Sequence, residues 1–109
     1  MTSINIIAEI GSVHDGSFNN AKKSIELSSE LGADTVKFQT HIADAETLKS
    51  APNPSYFKGE SRFEYFERTS FTYQEWFELK KTCEKRNISF LSSPFSLEAV
   101  DLLEKLNIG

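Results

Sequence analysis

A helix that ends on glycine and turns at once into a short alternating strand constrains the fold of this chain more than any other feature. Leu31-Gly32-Ala33 closes the helix, and Asp34-Thr35-Val36-Lys37-Phe38-Gln39-Thr40 follows. Glycine at a helix C-terminus adopts the left-handed conformation without a Cβ penalty, a common entry into a strand of an α/β sheet. Successive strand side chains point to opposite faces, so Lys37 and Gln39 share one face and Val36 and Phe38 the other. An ordinary half-exposed strand alternates in the same way. Position says more, because α/β folds collect their chemistry at the C-terminal ends of parallel strands.

The segment upstream supplies a second strand. In Ile4-Asn5-Ile6-Ile7-Ala8-Glu9-Ile10, Ile6, Ala8 and Ile10 share one face and Ile7 and Glu9 the other. Both faces are largely apolar, which suits a parallel strand covered on both sides. Glu9 interrupts that pattern near the C-terminal end, where a carboxylate either reaches water or serves a site. Gly11 to Ser17 reads as a loop with His14 and Asp15 between two glycines. Ser17 is placed to cap a helix running to about Leu31, with Phe18, Ala21 and Ile25 on its buried side and Lys22, Lys23, Glu26 and Glu30 on its wet side. Strand, helix and strand make a β-α-β unit, for which a right-handed crossover is expected.

From His41 to about Arg62 regular structure is sparse. Ala43 to Lys49 suits a helical turn, and Ala51-Pro52-Asn53-Pro54 forbids its continuation. A connection this long is usually a functional loop; the alternative is a mobile insertion. Phe63 to Glu67 suggests a short helix with an aromatic face. Thr72-Tyr73-Gln74-Glu75 is a capping box. It predicts a helix from Tyr73 to about Arg86, with Trp76, Leu79 and Cys83 buried and Asn87 as a left-handed stop. Cys83 and Trp76 both read as core residues. Ile88 to Ser93 is the third strand, opening into Ser92-Ser93-Pro94-Phe95-Ser96. Ser96 is the expected cap of a last helix that repeats Leu97, Val100, Leu103 and Leu106. Ser93 either offers a hydroxyl to an anion or does turn chemistry. Asn107-Ile108-Gly109 reads as the turn toward a fourth strand, so the last helix has no strand to return to.

The totals narrow the function classes. A chain of 109 residues forms one domain with a modest core, and 39% hydrophobic with 26% charged residues suits a folded globule. A net charge of -4 gives no basic surface for nucleic acid, though a local lysine can still hold an anionic small molecule. One cysteine excludes an internal disulfide and suits a reducing compartment. No apolar run reaches membrane-span length and no leader-like pattern opens the chain, so the expected location is the cytoplasm.

Each strand therefore ends in polar candidates: Glu9, then Lys37 and Gln39, then Ser93. Parallel strands bring these ends to one edge of the sheet. Together they would form a pocket for a polyhydroxylated ligand and an anion, with Lys37 neutralising a phosphate or carboxylate and Glu9 and Gln39 holding hydroxyls.

Four segments carry a family resemblance: Ile7-Ala8-Glu9-Ile10-Gly11, His14-x-Gly16, Gly32-Ala33-Asp34-x-Val36-Lys37-Phe38-Gln39-Thr40, and Phe90-Leu91-Ser92-Ser93-Pro94-Phe95. In order and spacing they resemble the N-acetylneuraminate (sialic acid) synthase family, from Ile7 to the end of the chain. The resemblance implies an α/β fold of the (β/α)8 TIM-barrel type. Residues 1–109 would form its first three βα units, with the later strands and a C-terminal antifreeze-like domain absent. It further implies condensation of phosphoenolpyruvate with an N-acetylated amino sugar, such as N-acetylmannosamine, to give a nonulosonic acid and phosphate.

By that resemblance Glu9 and Gln39 contact the acceptor sugar, Lys37 and Ser93 lie on the phosphoenolpyruvate side, and Glu9 and Lys37 are the catalytic candidates. A divalent metal, Mn2+ or Mg2+, is expected in the intact protein, with its two histidine ligands on later strands and none in this chain. The family also implies a homodimer for the intact protein. His14 lies in the family's Asn-His-x-Gly segment with Val13 in place of the asparagine, and it is not assigned as a ligand. A barrel of this type needs about 250 residues to close. The 109-residue chain alone is thus expected to lack catalysis and to leave its third strand as an exposed edge. Two alternatives stand beside this reading: a non-catalytic truncated homologue or assembly fragment that pairs with another chain, and another barrel enzyme acting on phosphorylated sugars, which explains the four motifs less well.

Overall fold

A computed structural model of the chain describes residues 4–46 and 59–107. Among them three strands, β1 (Ile7–Gly11), β2 (Thr35–Thr40) and β3 (Ser89–Pro94), form a parallel sheet in the order β1-β2-β3. The helices are α1 (Phe18–Glu30), α2 (Ala43–Glu46), α3 (Arg62–Thr69), α4 (Tyr73–Lys85) and α5 (Leu97–Lys105). The proline-rich stretch 51–54 and residues 47–49 of the expected helical turn lie outside the described residues.

Local chemistry sets the helix ends. Ser17 Oγ accepts from Asn20 N at 3.1 Å, and Ser96 Oγ accepts from Ala99 N at 3.1 Å. The capping box forms in both directions: Glu75 N donates to Thr72 Oγ1 at 3.1 Å, and Thr72 N donates to Glu75 Oε1 at 2.9 Å. Each such cap contributes about 1 kcal/mol. Gly32 and Asn87 both stand in the left-handed region, at φ 90° and 58°, as their positions after α1 and α4 require. The entry to the sheet is pinned by Asp34, whose carboxylate accepts from Ile6 N at 2.8 Å while its own N–H donates to Ile6 O at 2.8 Å.

The sheet has one dry face. Val36 and Phe38 are buried there against residues of α1, α4 and α5. Phe38 stacks on Phe90 at 5.4 Å and meets Trp76 edge-on at 5.7 Å. Aromatic pairs of this kind add about 0.5–1.5 kcal/mol each beyond the area they bury. Cys83 and Leu79 fill the space beneath, so Cys83 is a core residue, and burial pushes its thiol up to about 12.

Two expectations need correction. The first strand begins at Ile7 rather than Ile4, and it is not covered on both sides, since Ile7 is 49% exposed. The reason is that α1, α4 and α5 all feed the core on the Val36–Phe38 face. On α5 the buried side is Ala99, Leu103 and Leu106, while Leu97 is 80% exposed. Leu97 precedes Ala99 by two positions, about 200° around a helix of 3.6 residues per turn. Ser93 lies within β3, as the expected strand has it, and not in the turn that its alternative role required. Both β1 and β3 are edge strands among the described residues.

Replacing Trp76 with alanine should lower the unfolding free energy by about 3–5 kcal/mol, whereas Leu97→Ala should change it by no more than about 0.5 kcal/mol. Urea titration followed by circular dichroism separates the two, and equal effects would contradict the one-faced core. Cys83 should resist thiol reagents in the folded protein and react only on unfolding; rapid labelling of the native state would contradict its burial.

Candidate active site

The rim at the C-terminal ends of the strands is built by register. Glu9 pairs with Lys37 across β1 and β2, and Gln39 pairs with Ser93 across β2 and β3. All four residues alternate onto the face opposite Val36 and Phe38. Glu9 Oε2 lies 4.0 Å from Lys37 Nζ, with side chains 56% and 39% exposed. A pair this wet contributes about 0–1 kcal/mol to stability. Both charges therefore stay available to a ligand at little cost to the fold.

After Glu9 the register slips, with Gly11 rather than Ile10 opposite Phe38. Irregularities of this type re-aim side chains at sheet rims. Gly11 takes φ 56°, and a Cβ there would stand 3.5 Å from Glu9 Oε1 and 3.6 Å from Gln39 Nε2. Glu9 and Gln39 thus converge over the bare backbone of Gly11, an acceptor beside a donor.

Behind Gln39 lies a group that the sequence pattern did not single out. His41, directly after β2, is buried, with Nε2 3.0 Å from Gln39 Oε1 and Nδ1 2.8 Å from Glu46 Oε1. Its ring is sandwiched between Phe66 and Phe95, each with its centroid at 4.3 Å. Glu46 in turn accepts from Ile42 N at 2.6 Å. A histidine five residues before a glutamate carries no signal by spacing, and the two phenylalanines come from separate segments. On the helix side of the sheet, the Thr40 and Ser92 hydroxyls bond at 2.6 Å, so Ser92 does not share the Ser93 face.

The loop between β1 and α1 is locked to α3. Arg68 donates to the Asp15 carboxylate at 2.6 Å and to Glu60 Oε1 at 2.7 Å, and these bonds raise its pKa further above the usual range. A Cβ on Gly16 would fall 2.3 Å from the Arg68 backbone oxygen, so only glycine fits that approach. His14 is buried within the loop, 4.5 Å from Phe71 between ring centroids. Its Nδ1 accepts from Gly16 N at 3.0 Å, which assigns the hydrogen to Nε2, an atom without a hydrogen-bond partner among the described residues. Burial lowers its pKa below the ordinary 6.5, against a smaller opposing effect of Asp15. The ring is therefore a neutral structural element of the loop at pH 7.

Among the described residues, no three His, Cys, Asp or Glu side chains gather as a metal site. This segment does not by itself fit the metal that the family resemblance implies. A cavity of about 440 Å3, lined in part by Lys80, Cys83, Ile88 and Ser89, opens at the N-terminal end of β3, away from the rim. No described helix is long and apolar enough to cross a membrane.

A parallel βα layer with polar side chains gathered at its strand C-termini defines an α/β protein of the type that binds ligands at that rim. Comparison with known proteins gives the family: residues 24–109 match the NeuB family model, and the chain belongs to the NeuB family. It is similar to the N,N'-diacetyllegionaminic acid synthase of Campylobacter jejuni subsp. jejuni serotype O:2, at 40% identity over 94% of this chain and 32% of the relative. The N-acetylneuraminate-9-phosphate synthase of Homo sapiens is 32% identical over 94% of this chain and 30% of its own length. The structure superposes on the N-acetylneuraminic acid (sialic acid) synthetase of Leptospira borgpetersenii serovar Hardjo-bovis with a TM-score of 0.79, covering 98% of this chain and 34% of that one, a likeness of fold at 23% identity. The chain thus spans about a third of the length of the curated relatives it matches.

The state of His14 has a consequence for pH. As pH falls below 6.5, the unfolded chain takes up a proton on this ring before the folded one does. Stability from this group is fully present above that value and is lost as pH drops toward the lowered folded pKa. His14→Gln should remove this part of the acid sensitivity between about pH 6.5 and 5. Unfolding curves for the two proteins that run parallel across that range would contradict the assignment.

Proposed function

We propose that these residues are the N-terminal part of the catalytic barrel of a cytoplasmic nonulosonic acid synthase, within a protein longer than 109 residues that also carries the later strands and an antifreeze-like domain. The reaction joins phosphoenolpyruvate to an N-acetylated amino sugar and releases phosphate. The single observation that carries this reading is the placing of Glu9, Lys37, Gln39 and Ser93 on one face of the parallel sheet of a NeuB chain, Glu9 and Lys37 midway along β1 and β2 and Gln39 and Ser93 near the C-terminal ends of β2 and β3. The relatives are synthases of different products, N,N'-diacetyllegionaminic acid, pseudaminic acid and N-acetylneuraminate-9-phosphate, which supports the reaction class over any one acceptor sugar.

The roles follow from the chemistry of the side chains. Lys37, a strongly hydrated point charge, balances the negative groups of phosphoenolpyruvate. Ser93, opposite Gln39, offers a hydroxyl to the same reactant. Glu9 and Gln39 accept from and donate to hydroxyls of the sugar, fixing its carbonyl carbon against the enolpyruvate methylene. A new C–C bond forms there, water adds to the adjacent carbon, and phosphate leaves. The contribution of these residues is positioning and charge balance, the two largest sources of rate in reactions of this kind. Any divalent metal the reaction needs is held by residues outside this chain. The intact protein is proposed to act as a homodimer.

The full-length protein, supplied with Mn2+, phosphoenolpyruvate and a panel of N-acetylated hexosamines, should release phosphate. Lys37→Ala should lower kcat/KM by about 100-fold or more. The 109-residue chain alone should release no more phosphate than its own Lys37→Ala variant. No turnover of any N-acetylated hexosamine by the full-length protein would overturn the proposal.

A further inference from the structure

The buried imidazole behind the rim has no freedom left. Phe66 of α3 and Phe95 after β3 hold its two faces at interplanar angles of 8° and 19°. Glu46 and Gln39 hold its two nitrogens. The side chains of His41 and Glu46 are only 6% and 9% exposed, so neither bond is readily exchanged for water. The Ser70 hydroxyl reaches both the His41 and the Phe66 carbonyls and shares its single hydrogen between them, which sets the backbone here against the end of α3.

The bonding pattern then determines what Gln39 shows to a ligand. An amide oxygen only accepts, so the contact between Nε2 and Gln39 Oε1 requires a hydrogen on Nε2. With its oxygen thus engaged, the amide turns its NH2 group outward, to the space over Gly11 where Glu9 Oε1 also points. The opposite amide orientation would place two oxygens together there, Gln39 Oε1 beside Glu9 Oε1. The Glu9 end of the amide therefore selects the orientation in which Gln39 Oε1 faces His41 Nε2.

We propose that His41, clamped by Phe66 and Phe95 and anchored by Glu46, is a positioning residue that orients the Gln39 amide so that it presents a donor, not an acceptor, beside the Glu9 carboxylate. A donor next to an anionic acceptor suits a neutral hydroxyl, which accepts from one and donates to the other. The same corner disfavours an anion, because the Glu9 carboxylate repels it. The orientation thus acts on the polyhydroxylated reactant rather than on phosphoenolpyruvate. This assignment of a reactant rests on the proposed function; the orientation itself does not.

Two measurements on the full-length protein test it. In the wild-type protein labelled with 15N-histidine, Nε2 of His41 should resonate as a protonated nitrogen with an exchange-protected hydrogen, and Gln39→Ala should abolish that protection. A bare, pyridine-like Nε2, or protection unchanged by Gln39→Ala, overturns the proposal whether or not the protein is catalytically active. In the activity assay, His41→Phe keeps the ring stack and removes both ring nitrogens. It should raise KM for the amino sugar about tenfold while leaving KM for phosphoenolpyruvate within about twofold, and it should cost nothing further in a Gln39→Ala background. Additive losses in the double variant, or a matching rise in KM for phosphoenolpyruvate, would show a merely structural role. If wild-type protein turns over no hexosamine, the proposed function fails and the labelling result alone decides the orientation.

Discussion

The burial of Val36 and Phe38 is the constraint on which the rest of the structure depends. Phe38 is fully buried, stacked on Phe90 and edged by Trp76, with α1, α4 and α5 closing around it. Alternation along a strand is strict, so committing these two side chains to the core commits Lys37 and Gln39 to the other face. The parallel register then carries the same choice to the neighbouring strands. Glu9 and Ser93 arrive on the open face because their partners are already there. A one-residue slip would exchange core and site together, and the aromatic cluster makes such a slip costly.

The residues at the rim contribute little to holding the fold. The Glu9–Lys37 contact is long and wet, and Ile7 beside it is half exposed. Stability lies instead in the aromatic layer and in the helix caps, while the exposed anchor between Arg68, Asp15 and Glu60 adds little. That anchor matters for the site at one remove. It fixes the loop after β1 so closely against α3 that Gly16 tolerates no side chain. The fold is thus stiff around the rim and permissive within it, as expected where ligand groups must meet charged partners without first displacing strong internal ones.

How far the sequence could be read varied with the range of the interaction. The caps at Ser17, Thr72 and Ser96, the left-handed stops at Gly32 and Asn87, and the buried stripe of Trp76, Leu79 and Cys83 all came from neighbours within four residues, and the structure has them. Leu97 was misplaced because its apolar side chain matches the helical spacing of Val100 while the helix rotates its buried side toward Ala99. Ile7 reads as covered because an apolar residue in a parallel strand usually is, and only the placement of the helices says otherwise. Ser93 belongs to the strand that the sequence places it in, and its register opposite Gln39 rather than its residue type sets it on the rim face.

The amino-acid order by itself determined the β-α-β layer and the side of the sheet on which its polar residues fall, because strand alternation and helix capping are local and act the same in any context. It also contained the family, since four short motifs kept their order and spacing. Only the tertiary structure decided that Glu9 and Gln39 meet over Gly11, and that His41, Glu46, Phe66 and Phe95 close into one unit behind them. Those contacts join segments as far apart as β2, α3 and the turn after β3. Their distances follow from how helices dock on the sheet, a sum of many small packing terms that no spacing rule along the chain records.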